Sequence, residues 1–154
     1  PTKWHSQDFG TNSRISELHA SILNIKLPKV DSFIKRRRYI AKTYIKYLKN
    51  SSLALPQEKK YCKHVFHLFV VYHPKRDLII KYLKKNKILI NINYPYPIHK
   101  MKAYKDLYPT KGKDLINTEK FAKVIFSLPL YPKMEINNVI KISKILKRIL
   151  INIK

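Results

Sequence analysis

The sequence predicts an α/β fold of the α+β small-domain kind: a small, mainly antiparallel sheet covered by helices and preceded by a long bent helix. Three observations carry this. An apolar helical period runs from Ile15 to about Lys49 and is interrupted at Pro28. A dense branched and aromatic run of strand length, VFHLFVVY, occupies Val65 to Tyr72. Over the whole chain the segments follow the order helix, strand, helix, strand, helix, strand, helix, which implies a sheet with helices packed on it.

The first element is announced by Thr11, Asn12 and Ser13, whose side-chain oxygens can cap a helix. Ile15, Leu18, Ile22 and Ile25, then Val30, Ile34, Ala41, Tyr44 and Leu48 keep one face toward a core. Pro28 bends or splits the segment, because it lacks an N–H and its ring clashes with the preceding turn. Lys35 to Arg38 follow the bend, with long stems able to cover apolar surface while the charges stay wet. Asn50, Ser51 and Ser52 close the segment. Pro74 and Asp77 mark the next helix start, with Leu78, Ile79, Tyr82 and Leu83 as its buried stripe. Ile88 to Tyr94 alternates in part and reads as a second strand. Pro95, Pro97 and Pro109 punctuate a passage too rigid for regular elements. Leu115 to Val124 reads as a short helix, Ile125 to Leu128 as a strand, and Glu135 to about Asn152 as the closing helix. There is no internal repeat.

The chain has 154 residues, enough for one domain with a real core. Its single cysteine, Cys62, excludes an internal disulfide framework and suits a reducing, cytoplasmic setting. No apolar run is long enough to span a bilayer as a helix. Lysine and arginine total 33 against 9 acids, a formal net charge of +24 that would attract polyanions. Lysine supplies most of that charge and arginine, the residue suited to bidentate phosphate recognition, is scarce. The lysines are spread over every predicted element rather than gathered on one face among aromatic platforms, so the charge reads as solvated surface. A nucleic-acid-binding module is the alternative reading, and no specific nucleic-acid partner is expected.

The candidate chemistry lies in two places. Asn12 and Arg14, within Gly10-Thr11-Asn12-Ser13-Arg14, offer amide donors and a rigid charged fork beside a helix start, a combination suited to an anion. Equally, Asn12 can simply cap the helix while Arg14 makes a surface ion pair. Tyr94, Tyr96 and His99 sit among prolines that hold side chains at fixed offsets and limit the entropy lost on binding. An aromatic cluster is the other reading, above all for Tyr96. The histidines and Cys62 show no spacing of a structural zinc site, so no metal is expected. His67, inside an apolar run, reads as a hydrogen-bonded core or interface residue.

Taken in order, Gly10-x-Asn12-x-Arg14 with Glu17-Leu18, Arg37-x-x-x-Ala41-x-x-Tyr44, Pro56, Phe66-His67-Leu68-Phe69, Tyr94-Pro95-x-Pro97-x-His99 and Leu128-Pro129-Leu130-Tyr131-Pro132 resemble one family. It is the DegT/StrS family of pyridoxal-phosphate-dependent nucleotide-sugar aminotransferases, of fold type I, and the resemblance is to the family's C-terminal part. It implies one unit over 1–154: the end of a large-domain connection at 1–14, a helical segment at 14–49, and a sheet-and-helix part at 56–154. Asn12 is then implied to reach the phosphate of pyridoxal phosphate across a homodimer interface, with Arg14 supporting that interface and the cofactor end of the site, and Tyr94 and His99 to face substrate. The substrates implied are a nucleotide-sugar and an amino donor such as glutamate, for polysaccharide or glycan synthesis. The Schiff-base lysine of the family lies upstream of the Gly-x-Asn-x-Arg element, so no catalytic residue is expected in this chain. The chain opens at Pro1, just ahead of that element, and therefore reads as a severed or degenerate piece, inactive alone. Two positions depart from the family pattern: Asn93 stands where histidine is common, and Lys87 where glycine is usual.

Overall fold

The computed structural model describes residues 14–105 and 115–153. Asn12, the connection at 1–13, and Pro109 lie outside the described residues. Helix α1 (Glu17–Lys26) is capped by Ser16, whose Oγ accepts from the His19 N–H at 3.3 Å. Pro28 then does what its chemistry requires: a single 3-10 turn at Leu27–Lys29 separates α1 from α2 (Val30–Leu48). Helix α2 closes in a turn where Ser51 N–H donates to the Leu48 carbonyl at 3.1 Å. Lys49 at φ −50°, ψ 140° and Asn50 at φ 63° make this a type II turn, with asparagine at the left-handed position.

Strand β1 (Phe69–Tyr72), helix α3 (Arg76–Lys85), the four-residue α4 (Lys102–Lys105), α5 (Ile116–Val124), β2 (Ile125–Leu128) and α6 (Ile136–Asn152) complete the order. β1 and β2 pair antiparallel in the register Phe69 with Leu128 through Tyr72 with Ile125. Ala54 bridges to Tyr72 on the outer side of β1, and Asn91 to Ser127 on the outer side of β2. The anticipated strand at Ile88–Tyr94 is thus reduced to one bridge. Its flanks explain why: Lys87 and Tyr94 both have positive φ, 59° and 57°, which turns the chain out of the extended region at each end. The first strand is also shorter than the run Val65–Tyr72, because Phe66 at φ 50° breaks the extension before Phe69.

One core holds these elements together. Ile40, Ala41, Tyr44 and Leu48 of α2 pack against Val139, Ile142, Leu146 and Leu150 of α6, with Ile79 and Leu83 of α3 and Phe69, Val71 and Phe126 of the sheet. Tyr44 is fully buried, its ring 5.1 Å from that of Phe69, and its hydroxyl donates to the Pro129 carbonyl at 2.9 Å. Burial pushes its ionisation well above the ordinary tyrosine value. The apolar period of the first segment is therefore only half used. α1 buries nothing, and Ile15, Leu18, Ile22 and Ile25 are exposed, 71% in the case of Leu18. In α3, Leu78 and Tyr82 are likewise exposed while Ile79 and Leu83 are buried.

The arginine run behaves differently from a solvated face. Arg36 donates to the carbonyls of Pro132 (3.3 Å) and Met134 (2.8 Å). A single nitrogen of Arg37 reaches the carbonyls of Phe66, His67 and Leu130 at 3.3, 2.9 and 3.2 Å. Arg38 grips both oxygens of Glu58 (2.6 and 3.1 Å) and the His64 carbonyl (2.5 Å). These forks satisfy loop carbonyls that have no strand partner, tying both irregular approaches to the sheet onto α2. His67 contributes only its carbonyl here; its side chain is exposed rather than in the core.

Candidate functional site

The proline-rich passage folds beside the sheet. Pro95 and Pro97 restrict the backbone, a 3-10 turn covers Ile98–Lys100, and Lys100 and Met101 N–H groups close on Pro97 and Ile98 carbonyls at 2.9 and 3.0 Å. Tyr94 is held at φ 57° directly before a proline, a conformation sparsely populated for a bulky residue, and its side chain is 70% exposed. Helix α5 lies opposite. It is fastened to α3 by Arg76, whose guanidinium donates to the Ala122 carbonyl at 2.7 Å, and Phe121 meets Tyr72 edge-on with ring centroids 5.9 Å apart.

Between passage and helix is a cleft of about 950 Å³, walled by Tyr94, Tyr96, Met101, Phe121 and Ile125, with Asn93, His99, Asn117 and Thr118 as polar groups. The His99 ring is nearly buried, and its Nε2 lies 3.1 Å from Glu119 Oε1. The second oxygen of Glu119 takes the Lys100 ammonium at 2.6 Å. These partners, Lys100 first and His99 second, hold the Glu119 carboxyl below the usual carboxylate range. One carboxylate thus fastens the passage to α5 and fixes the plane of the His99 ring. The side-chain oxygen of Asn93 is buried with no hydrogen-bond partner among the described residues. An orphaned acceptor in a cleft wall is an acceptor awaiting a donor.

Tyr94 and His99 are therefore brought together on one cleft. Arg14 is not: it stands exposed ahead of α1 and does not line the cleft. Asn12 lies outside the described residues. Sequence reasoning missed Glu119 altogether; its signal was rarity, one acid among nine in a chain of +24. Asn93 was visible only as a departure from a pattern, with no hint of its unpaired oxygen. Among the described residues no group of three metal-ligating side chains occurs. Nor, among the described residues, is any helix long and apolar enough to cross a membrane.

The fit to pyridoxal phosphate can be tested on these groups. The phosphate needs donors, but at the described start of α1 Ser16 already occupies the His19 N–H, and Glu17 places a carboxylate in the first turn. Among the described residues no lysine or arginine lines the cleft. The described residues do not make a complete cofactor site; they form a wall that could flank one.

A small antiparallel sheet covered by helices, with a long bent helix before it, matches the architecture of fold type I aminotransferases. The chain belongs to the DegT/DnrJ/EryC1/StrS aminotransferase family, whose sequence model matches residues 1–147. It is 41% identical over 130 residues to the dTDP-3-amino-3,4,6-trideoxy-alpha-D-glucose transaminase of Micromonospora megalomicea subsp. nigra, spanning 81% of this chain and 34% of that protein. The crystal structure of S. venezuelae DesV in complex with a ketimine intermediate superposes with a TM-score of 0.82 at 31% identity, over 96% of this chain and 40% of that one. Bacillus subtilis NtdA with bound cofactor PMP gives 0.75 at 27% identity, over 93% and 34%. The chain thus spans little more than a third of the length of such relatives.

Proposed function

We propose that this chain is the C-terminal part of an aminotransferase that moves an amino group from a donor such as glutamate to a keto nucleotide-sugar, for polysaccharide or glycan synthesis in the cytoplasm. The observation that carries the reading is the cleft that joins Tyr94 and His99, in a chain whose family is that of the sugar aminotransferases. Pyridoxal phosphate, when bound in the complete enzyme, supplies the electron sink for amino transfer. This chain's residues supply the substrate wall. Tyr94 and His99 orient the sugar, the aromatic and aliphatic walls exclude water, and Glu119 keeps the His99 ring from swinging. Asn12 would contact the cofactor phosphate, and Arg14 would brace the subunit interface.

Two features support a part that does not act alone. α1 exposes Leu18, Ile22 and Ile25 on a helix that buries nothing, with exposed Ile15 just before it, a surface made for more protein, either the rest of the subunit or a second subunit of a homodimer. The chain also spans only 34% of the M. megalomicea relative. The domain that precedes it would carry the reactive lysine. The test is to supply pyridoxal phosphate, glutamate and a dTDP-linked keto-sugar to the 154-residue chain and to a polypeptide that includes a lysine-bearing N-terminal domain. Amino-sugar from the longer protein alone is expected. Turnover by the short chain, or none by the longer protein with any nucleotide-linked keto-sugar, overturns the reading.

A further inference from the structure

Helix α2 gathers its charge on one stripe. Lys35, Arg38, Lys42, Lys46 and the C-cap Lys49 follow at steps of three and four residues, on the face turned away from buried Ala41, Tyr44 and Leu48. The stripe runs about 20 Å, with a cation about every 5 Å. No acid lies between Asp31 and Glu58, so like charges neighbour one another along the helix and oppose it. Glu58 answers Arg38; among the described residues Lys35, Lys42, Lys46, Lys49 and Lys63 enter no ion pair. The first half of the stripe is one wall of a groove of about 870 Å³, where Lys35, Arg38 and Lys42 meet Arg36, Tyr39 and Lys63. The segment that carries Lys63 is fastened there: Glu58 takes Arg38 at 2.6 Å and the His64 N–H at 2.7 Å. Tyr39 is 54% exposed, and its ring centroid lies 5.5 Å from the guanidinium of Arg36, itself anchored on the Pro132 and Met134 carbonyls.

A compact phosphate would meet a few of these cations and leave the rest of the stripe unanswered. A duplex keeps its bases stacked and offers an exposed tyrosine ring nothing to cover. An extended single strand answers both features, with phosphates along the stripe and an unpaired base on the ring. We propose that α2 and the Lys63 segment form a groove for single-stranded nucleic acid, held without sequence preference by phosphates on Lys35, Lys42, Lys46 and Lys63 and by a base against Tyr39. DNA and RNA share this chemistry. The groove has no lining residue in common with the cleft, and the inference does not rest on the aminotransferase reading.

The test is fluorescence anisotropy of the 154-residue chain with labelled oligothymidylate and oligouridylate of about 12 nucleotides, between about 50 and 200 mM salt. Four phosphate contacts predict that log K falls against log salt with a slope of about −3. Lys35→Gln, Lys42→Gln and Lys46→Gln together should weaken binding roughly tenfold or more and flatten the slope by about 2. Lys141→Gln, Lys144→Gln and Lys147→Gln together remove the same charge from the exposed face of α6 and should weaken it less than about threefold. Tyr39→Ala should weaken it about fivefold or more with the slope unchanged, and Tyr39→Phe should bind like the parent. Equal losses in the two triple variants mean attraction to net charge alone and overturn the proposal. So does a Tyr39→Ala chain that binds as before, an annealed duplex held as tightly as the single strand, or tripolyphosphate that competes as well at equal phosphate concentration. The tighter of the two arms names the strand.

Discussion

Replacing Lys87 by glycine should stabilise this protein. The last turn of α3 is a Schellman motif: Ile88 N–H returns to the Leu83 carbonyl and Lys87 N–H to the Lys84 carbonyl, both at 3.0 Å, past the C-cap Asn86. Ile88 packs on the core beside buried Leu83, completing the apolar contact that accompanies this ending. The motif needs a left-handed residue at the position of Lys87, which has φ 59°. For a residue with a Cβ that conformation costs about 1 to 2 kcal/mol. Glycine removes that strain but frees the unfolded chain, at about 0.5 to 1 kcal/mol. The exposed lysine side chain contributes little that would be missed. The net gain is about 0.5 to 1 kcal/mol, or roughly 1 to 4 °C in melting temperature for a domain of this size. Urea titrations of the parent, Lys87→Gly and Lys87→Ala chains measure it, with the slope expected to stay constant. Lys87→Ala keeps the Cβ and should stay near the parent. If glycine and alanine behave alike, or glycine is the less stable, left-handed strain at this site is not what the turn stores.

Arg37→Ala should destabilise the chain by about 2 to 4 kcal/mol in the same titration, because the carbonyls of Phe66, His67 and Leu130 lose one shared charged donor. Lys35→Ala, two residues earlier on α2 and exposed, should change stability by less than about 0.5 kcal/mol. His73 is buried, accepts the Lys75 N–H on Nδ1 and faces Ser52 with Nε2; burial first, and the Lys75 charge second, push its protonation below the ordinary histidine value. The unfolded chain therefore binds a proton that the folded chain resists, so this contribution is complete above about pH 6.5 and is lost as pH falls through the lowered folded value. Denaturation midpoints between pH 7.5 and 5 should fall more in the parent than in His73→Gln. In a complete enzyme, Asn12→Ala should loosen cofactor retention by about 1 to 3 kcal/mol, and His99→Ala should lower sugar turnover with the cofactor retained. Cofactor dissociation constants and steady-state rates on both variants check this, and small equal effects would reduce both residues to capping and packing.

The sequence alone determined the elements whose signals are local. Pro28 had to interrupt the first helix, VFHLFVVY had to contain a strand, and the span from Glu135 to about Asn152 had to close the chain as a helix. The ordered motifs from Gly10 to Pro132 also marked the family before any coordinates, because spacing between motifs survives where single residues drift. Tertiary structure decided what those signals were used for. Periodicity says that Leu18 and Ala41 share a stripe, but only packing against α6 tells that Ala41 is covered and Leu18 is not. Composition says that the basic run is charged, yet whether Arg37 meets water or three carbonyls depends on loops far along the chain. Ile88–Tyr94 looks like a strand because pattern records side chains, whereas the left-handed backbone at Lys87 and Tyr94 decides the pairing. The cleft was beyond local reading for the same reason. His99, Glu119 and Asn93 become a site only when α5 lies across the proline passage, and the unpaired oxygen of Asn93 has no trace in the letters of the chain.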